Sequence, residues 1–152
     1  MSSLSTKTID NILYANLMTR GTFLGTHPSC IEPVPTKKFY SFITNTQTHE
    51  KSGEHWNSWV IDNKKVFFFD SFGRSPRDVT LPEFYRDFIR KFNQVHWVRT
   101  RVQDWNSETC GYFCIHFIYL LSTGFTIKNF LSEYTKNYLN NDDIVINICN
   151  II

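Results

Sequence analysis

One apolar segment constrains the fold of this chain more than any other feature. Residues 110–121 are apolar on nearly every side of a helical projection, and His116 is the one basic side chain among them. A helix with this pattern is expected at the centre of a domain, covered all round. A polar loop precedes it, so we expect the helix to start near Cys110, with Ser107 as its N-cap.

The bulk composition predicts one globular domain over residues 1–152. The chain is 41% hydrophobic and 16% aromatic, with a net charge of +2 that permits contact with nucleic acid without arguing for it. This apolar content excludes a disordered chain. Residues 1–20 lack the apolar core of a secretory signal, and no apolar run approaches the ~20 residues of a membrane span. We expect a protein made in the cytosol that does not enter a membrane and keeps its cysteines as thiols.

The spacing of apolar residues predicts both helices and strands. Helices are predicted over residues 9–18, 81–94, 110–121 and 127–139. Strands are predicted over residues 39–44, 56–61, 66–69 and 95–102, and residues 21–25 are assigned to a turn region. Residues 144–152 fit either a β-like segment or a terminal segment docked on the domain.

The two strands on either side of residues 62–65 are expected to form a β-hairpin. If the middle two of these residues make the turn, Asn57 faces Asp70 and His55 lies diagonal to Asp70 at the open end. Diagonal neighbours are roughly 7–8 Å apart, within reach of side chains. Asp70 could then orient the imidazole of His55 and stabilise its cation. An ordinary loop histidine and a turn-capping aspartate are the alternative interpretations.

The start of the apolar helix is a suitable place for a reactive thiol. The helix dipole favours a thiolate at Cys110, and the backbone N–H groups there can bind an oxyanion. Gln103, seven residues upstream, could add an amide donor, and His55 could serve as the base. A buried structural cysteine and a solvated glutamine explain the same positions. A metal site is not expected, because Cys110, Cys114 and His116 lack the paired spacing of structural zinc ligands.

The order of these residues resembles the adenain family, the cysteine proteases of adenovirus maturation, and the wider clan that includes the SUMO-specific proteases. The resemblance covers roughly residues 9–122. It rests on short motifs in the order that the family shows: Phe23-Leu24-Gly25-Thr26, Asn45-Thr46, Gly53-Glu54-His55-Trp56, Asp70-Ser71-Phe72-Gly73, Gln103, Asn106-Ser107 and Cys110-Gly111.

The resemblance implies roles for four residues and a fold to hold them. Cys110 would be the nucleophile, His55 the general base and acid, and Asp70 the residue that orients His55. Gln103 and the Cys110 N–H would form the oxyanion hole. The implied fold is α+β, with a central, mostly antiparallel sheet that carries His55 and Asp70 and packs against the helix that begins at Cys110.

The implied function is that of a viral cysteine endopeptidase that cleaves capsid or core precursors during virion maturation. It would act in the virion and in the cytoplasm or nucleus of the infected cell. Gly53, Glu54 and Trp56 would bind substrate, with Trp56 beside a narrow channel that suits glycine-containing sites. A protease for SUMO or ubiquitin-like proteins is an alternative, and a catalytically silent DNA- or capsid-binding module is another.

The resemblance also implies activators. No prosthetic group is expected, but a viral peptide and DNA could each stimulate the protein, which should itself be a monomer. Disulfide attachment of such a peptide is not expected, because residues 85–102 contain no cysteine. DNA contact would use five basic residues on one face, which are Arg86, Arg90, Lys91, Arg99 and Arg101. A solvated helix face explains the first three of them equally well.

Overall fold

The computed structural model describes residues 3–46 and 55–152, which form one sheet with helices packed against it. The strands are β1 (Phe23–Pro28), β2 (Phe39–Asn45), β3 (Trp56–Asp62), β4 (Lys65–Phe69) and β5 (Gln94–Trp97). The helices are α1 (Thr6–Ala15), α2 (Glu83–Ile89), α3 (Cys110–Ser122), α4 (Ile127–Leu131) and α5 (Tyr138–Ile151). No helix of these residues combines the length and the apolar character needed to cross a bilayer.

The sheet confirms the α+β class and is mixed in direction. The strands lie side by side in chain order, from β1 to β5. The inner pairs, β2 with β3 and β3 with β4, are antiparallel, whereas β1 with β2 and β4 with β5 are parallel. The last pair is parallel because the chain crosses over through α2 between the two strands. The expectation of a mostly antiparallel sheet therefore describes only its centre.

The predicted β-hairpin is present with the predicted register. Asp62 pairs with Lys65, and Ser58 pairs with Phe69. Asn63 takes a φ of 56°, a left-handed conformation that two-residue turns require and that asparagine tolerates. The two strands are antiparallel, so the end of β4 lies next to the start of β3. The residues that follow β4 therefore lie beside those that precede β3.

Helix α3 lies at the centre of the domain, as its apolar circumference predicts. It packs on β3 and contacts α1, α4 and α5. Phe69 of β4 joins the sheet to this layer, since its ring lies 5.2 Å from that of Phe117 and 5.1 Å from that of Phe130. All three side chains are fully buried. The sheet is thus anchored to α3 immediately before the residue Asp70.

The opposite face of the sheet packs against α2. The ring of Trp59 lies 4.9 Å from that of Tyr85 and 5.2 Å from that of Phe88. The Tyr85 hydroxyl donates to Asn57 Oδ1 at 2.9 Å, and it also shares a 2.7 Å hydrogen bond with the Thr44 hydroxyl. Tyr85 and Asn57 are both fully buried, so α2 fixes the side chain of Asn57 from its own face of the sheet.

Several predicted boundaries in the N-terminal and central regions were wrong. The first helix ends at Ala15 rather than at residue 18. The predicted turn region of residues 21–25 lies partly in β1, which is hard to predict because Gly25 has a φ of 94° and the pairing register shifts there. Helix α2 ends at Ile89, and β5 ends at Trp97, so both are shorter than predicted.

The C-terminal region differs most from prediction. The single helix predicted over residues 127–139 is two helices, because α5 starts only after its N-cap Asn137. Residues 144–151 continue α5, so the β-like alternative was wrong, whereas the segment is docked on the domain through Val145 and Cys149. The buried positions of α5 include Asn141, Val145 and Cys149, spaced four apart as one face of a helix. The buried asparagine hides this stripe from a search for apolar periodicity.

Replacement of Phe69 by alanine tests this description of the core. We expect Phe69→Ala to lower the free energy of unfolding by about 3–5 kcal/mol, the usual cost of truncating a buried phenylalanine. Urea denaturation followed by fluorescence measures the change. The matched control is Val79→Ala, at a side chain that is 84% exposed, which should change stability by less than about 0.5 kcal/mol. Equal losses in the two variants would contradict the assigned core.

Candidate active site

A cleft of about 630 Å³ opens at the end of the sheet where β3 begins and β4 ends. His55, Gln103 and Cys110 line it together. His55 immediately precedes β3, and Cys110 is the first residue of α3. The residues predicted from three separate parts of the sequence therefore meet around one solvent-accessible space.

His55 connects a carboxylate to the thiol. Its Nε2–H donates to Asp70 Oδ1 at 2.6 Å, and the ring also hydrogen-bonds with the Cys110 side chain. Burial lowers the pKa of His55, but the bonds and attractions to Asp70 and Cys110 outweigh it and raise the pKa to about 9. The imidazole is accordingly held as a cation near neutral pH, next to the thiol.

Asp70 is fully buried and receives more hydrogen bonds than His55 alone supplies. Asn57 Nδ2 donates to Oδ1 at 2.9 Å. Arg74 donates from Nη2 to Oδ1 at 3.1 Å, from Nε to Oδ2 at 2.9 Å, and from its backbone N–H to Oδ2 at 3.2 Å. Burial raises the pKa of Asp70, yet the bonds from His55 and Arg74 hold it well below its usual range.

Sequence reasoning missed Arg74, which reaches Asp70 through a tight turn. The Gly73 N–H donates to the Asp70 carbonyl at 2.8 Å, and Gly73 has a φ of 81°. A Cβ at this glycine would lie 2.9 Å from the backbone nitrogen of Arg101, closer than real contacts allow. Gly73 thus lets the chain fold back so that the arginine side chain returns to the carboxylate. The Asp-x-x-Gly-Arg spacing was the available signal.

Cys110 is 2% exposed and begins α3 directly. The prediction that Ser107 is the N-cap was wrong, because Thr109 holds that position. The Thr109 side chain makes no capping bond to the helix; its hydroxyl donates instead to Asp142 Oδ1 at 2.7 Å. Cys110 is consequently the first helical residue, at the positive end of the helix dipole.

The side chain of Gln103 is buried and held from two sides. Its Oε1 accepts a hydrogen bond from the Ser71 hydroxyl at 2.5 Å, and its Nε2 donates to the Ser107 carbonyl at 2.8 Å. These partners fix which end of the amide is the donor. Since an amide nitrogen has two protons and Ser107 accepts one, the other remains for a group in the cleft.

The predicted substrate-binding residues are distributed differently. Gly53 and Glu54 lie outside the described residues, so their role stays a prediction. Trp56 is 6% exposed and belongs to the core around α3, where a Cβ on Gly111 would lie 3.4 Å from its ring. Its indole is not among the described side chains that line the cleft, and substrate contact by Trp56 also stays a prediction.

Two other aromatic residues form a wall of the cleft. The Phe72 ring stacks on His55 with centroids 4.9 Å apart, and on Trp105 with centroids 4.7 Å apart. Trp105 is 62% exposed. The stack therefore runs from the imidazole out to solvent, and it offers an apolar surface beside the thiol.

The predicted basic residues each have a partner inside the protein. Those on or near α2 pair with backbone carbonyls or acids, and those after β5 lie over aromatic rings. The pairs are Arg86 with the Asp78 and Leu81 carbonyls, Arg90 with Asp87, Lys91 with Glu32, Arg99 with Trp97, and Arg101 with Trp105 and Tyr138. DNA contact by these residues stays a prediction.

The cleft contains the groups that nucleophilic acyl transfer requires. They are a thiol at a helix start, an imidazole oriented by a carboxylate, and an amide donor nearby. Residues 3–46 and 55–152 contain no group of three or more His, Cys, Asp or Glu side chains that could hold a metal ion.

Comparisons with known proteins agree with this arrangement. The chain is 34% identical to the protease of Bovine adenovirus 2 over 89 residues, which are 51% of this chain and 43% of that protein. It thus spans less than half the length of this relative. The fold is similar to that of the selenomethionine-substituted ASFV pS273R protease, with a TM-score of 0.64 and 15% identity over 95% of this chain and 67% of the other. The profile of the adenovirus endoprotease family matches residues 20–141, most of the chain, and the protein therefore belongs to that family.

Proposed function

We propose that this protein is a viral cysteine endopeptidase that cleaves precursors of capsid or core proteins during virion maturation. Cys110 is the nucleophile, His55 the general base and acid, and Asp70 the residue that orients His55. One observation carries the proposal: the His55 imidazole is hydrogen-bonded at the same time to Cys110 and to the buried Asp70 carboxylate. Membership of the adenovirus endoprotease family supports the same reading.

In the proposed mechanism the thiolate of Cys110 attacks the scissile carbonyl carbon. The carbonyl oxygen becomes an oxyanion, which accepts hydrogen bonds from the second amide proton of Gln103 and from the Cys110 N–H. The His55 imidazolium then gives its proton to the leaving amine, and a thioester forms as the C–N bond breaks. Neutral His55 next takes a proton from water, whose oxygen attacks the thioester and releases Cys110.

The cleft supports a preference for small residues near the cleaved bond. The stacked rings of Phe72 and Trp105 occupy one side of the space next to the thiol. A glycine-containing segment would pass such a wall without a side-chain clash. The proposed substrates are extended viral precursor segments that contain glycine, encountered in the virion or in the infected cell, and the proposed stimulators are DNA and a viral peptide.

A peptide probe that carries an electrophile and ends in glycine tests the nucleophile. We expect it to add once, at Cys110, as seen by intact mass and peptide mapping. Exposed Cys30 is removed by Cys30→Ser in every sample so that background labelling is low. Cys110→Ser should abolish labelling and cleavage, and His55→Ala should slow cleavage at least ~100-fold because it removes the acid–base group.

The same samples separate the possible substrates. Glycine-containing viral-type peptides should be cut, with and without added DNA, and fluorogenic ubiquitin-fold substrates should be cut poorly. Full activity of Cys110→Ser or His55→Ala would overturn the mechanism. Preferential cleavage of the ubiquitin-fold substrates would instead identify a protease of SUMO-like proteins.

The pKa of His55 sets the alkaline limit of activity. Because its folded-state pKa is about 9, the imidazolium that protonates the leaving amine is present at pH 7 and is lost as the pH rises through about 9. We expect kcat/KM for peptide cleavage to fall with a midpoint near pH 9. The raised pKa of His55 contributes to stability with the same sign: this contribution is complete below about pH 6.5 and disappears as the pH rises through about 9.

A kcat/KM profile from pH 6 to 10.5, with urea unfolding at the same pH values, measures both effects. His96→Gln is the matched control, since His96 is exposed on β5 and hydrogen-bonds only to Gln94 among the described side chains. This variant should keep the wild-type alkaline limb. A rate that stays constant up to pH 10.5 would contradict the proposed acid role of His55.

Replacement of Arg74 tests whether Asp70 needs partners besides His55. We expect Arg74→Gln to lower kcat about tenfold, because the carboxylate loses charge-assisted hydrogen bonds from a forked guanidinium. Arg74→Lys keeps the charge but not the forked donor geometry, and its kcat should lie between those of the wild type and Arg74→Gln. Arg77→Gln removes the same charge at an exposed position and should leave kcat unchanged. Equal kcat values for Arg74→Gln and Arg77→Gln would show that Arg74 is dispensable.

A further inference from the structure

The segment between β5 and α3 holds Gln103 and leads into Cys110, yet residues 98–109 belong to no helix or strand. Its first half is tied to the turn after Asp70, since the backbone N–H groups of Val102 and Gln103 donate to the Ser71 carbonyl at 2.9 and 3.2 Å. Its second half needs a different support. That support comes from α5, the last helix of the chain.

Asn141 of α5 is fully buried and holds the middle of this segment, next to Gln103. Its Nδ2 donates to the Val102 carbonyl at 2.9 Å and to the Thr135 carbonyl at 2.8 Å. Its Oδ1 accepts from the Thr135 N–H at 2.9 Å. Both ends of the amide are thus satisfied by backbone groups, so the side chain fixes the distance between α5 and the residue immediately before Gln103.

Asp142, the next residue, holds the end of the segment. Its Oδ1 accepts from the Thr109 hydroxyl at 2.7 Å and from the Ser107 hydroxyl at 3.3 Å. The Asp142 side chain is largely buried, at 7% exposure. The Ser107 carbonyl in turn accepts the hydrogen bond from Gln103 Nε2 at 2.8 Å. One carboxylate is therefore connected to the residue before Cys110 and to the residue that orients Gln103.

We propose that Asp142, with Asn141, is a positioning residue for the oxyanion hole: α5 sets the placement of Gln103 relative to Cys110 through the hydroxyls of Thr109 and Ser107. This inference rests on the proposed peptidase function. Oxyanion donors act only when they are held at a fixed distance from the reacting oxygen, and a misplacement of about 1 Å can cost ~100-fold in rate. Substrate binding along the cleft does not need the same accuracy.

The Thr109 hydroxyl argues for this role over simple helix capping. Threonine at an N-cap normally accepts a hydrogen bond from the first turn of its own helix. Here the hydroxyl is turned away from α3 and donates to Asp142. This contact therefore does not cap α3 but joins its start to α5.

The experiment compares kcat, KM and the affinity of a peptide aldehyde ending in glycine for full-length variants, with concentrations set by active-site titration. We expect Asp142→Ala to lower kcat and aldehyde affinity by about tenfold to 100-fold, with KM within about twofold. Asp142→Asn keeps an acceptor oxygen and should recover most of kcat. Asp143→Asn, at the exposed neighbouring position, is the control and should match wild type.

Thr109→Val gives a second route if Asp142→Ala does not fold. It keeps the shape of the side chain, removes the donor, and should lower kcat several-fold. Wild-type kcat per titrated site in Asp142→Ala or Thr109→Val would overturn the inference while leaving the peptidase function intact. A wild-type protein without turnover would overturn both.

Discussion

The buried carboxylate of Asp70 is the constraint on which the rest of the site depends. A fully buried charge is tolerated only when hydrogen bonds and an opposite charge compensate it. The chain meets that requirement from three directions: Asn57 on β3, Arg74 after a glycine turn, and His55 before β3. Asn57 is itself held by Tyr85 of α2. The position of the imidazole is therefore linked to α2 through Asn57 and Asp70.

The parts of the fold that follow from periodicity were predictable. The all-round apolar pattern of residues 110–121 indicated a central helix, and α3 is that helix. The hairpin register followed from a two-residue turn, and it was enough to place His55 beside Asp70. Helix α5 was missed because the face that it buries includes Asn141 and Asp142, which a search for apolar residues does not count. β1 was missed because a glycine with positive φ and a register shift interrupt it.

The residues of the candidate site also fall into a group that could be predicted from the sequence and a group that could not. The residues that bear the proposed chemistry, His55, Asp70, Gln103 and Cys110, could be chosen from residue type and order, with the help of a family resemblance. The residues that hold these four in place could not be chosen in this way. Arg74 meets Asp70 through a turn whose one signal in the sequence is the Asp-x-x-Gly-Arg spacing. Ser71 and Asp142 meet their partners through tertiary packing, which leaves no spacing pattern. The N-cap of α3 was misassigned for this reason, since the Thr109 hydroxyl serves a contact with α5 and not its own helix.

Two adjacent residues join the halves of the site. Asp70 orients His55, and the hydroxyl and carbonyl of Ser71 hold Gln103. A displacement of the β4 end would thus move the imidazole and the amide together. Beyond this point the supports separate: Arg74 reaches only the carboxylate side, and α5 reaches only the segment that leads to Cys110. Changes to the two supports should therefore be nearly additive in activation free energy, as expected for groups without shared partners. Changes to Ser71 should couple to changes in α5, because Ser71 contacts the backbone and the side chain of Gln103, in the segment that α5 also supports.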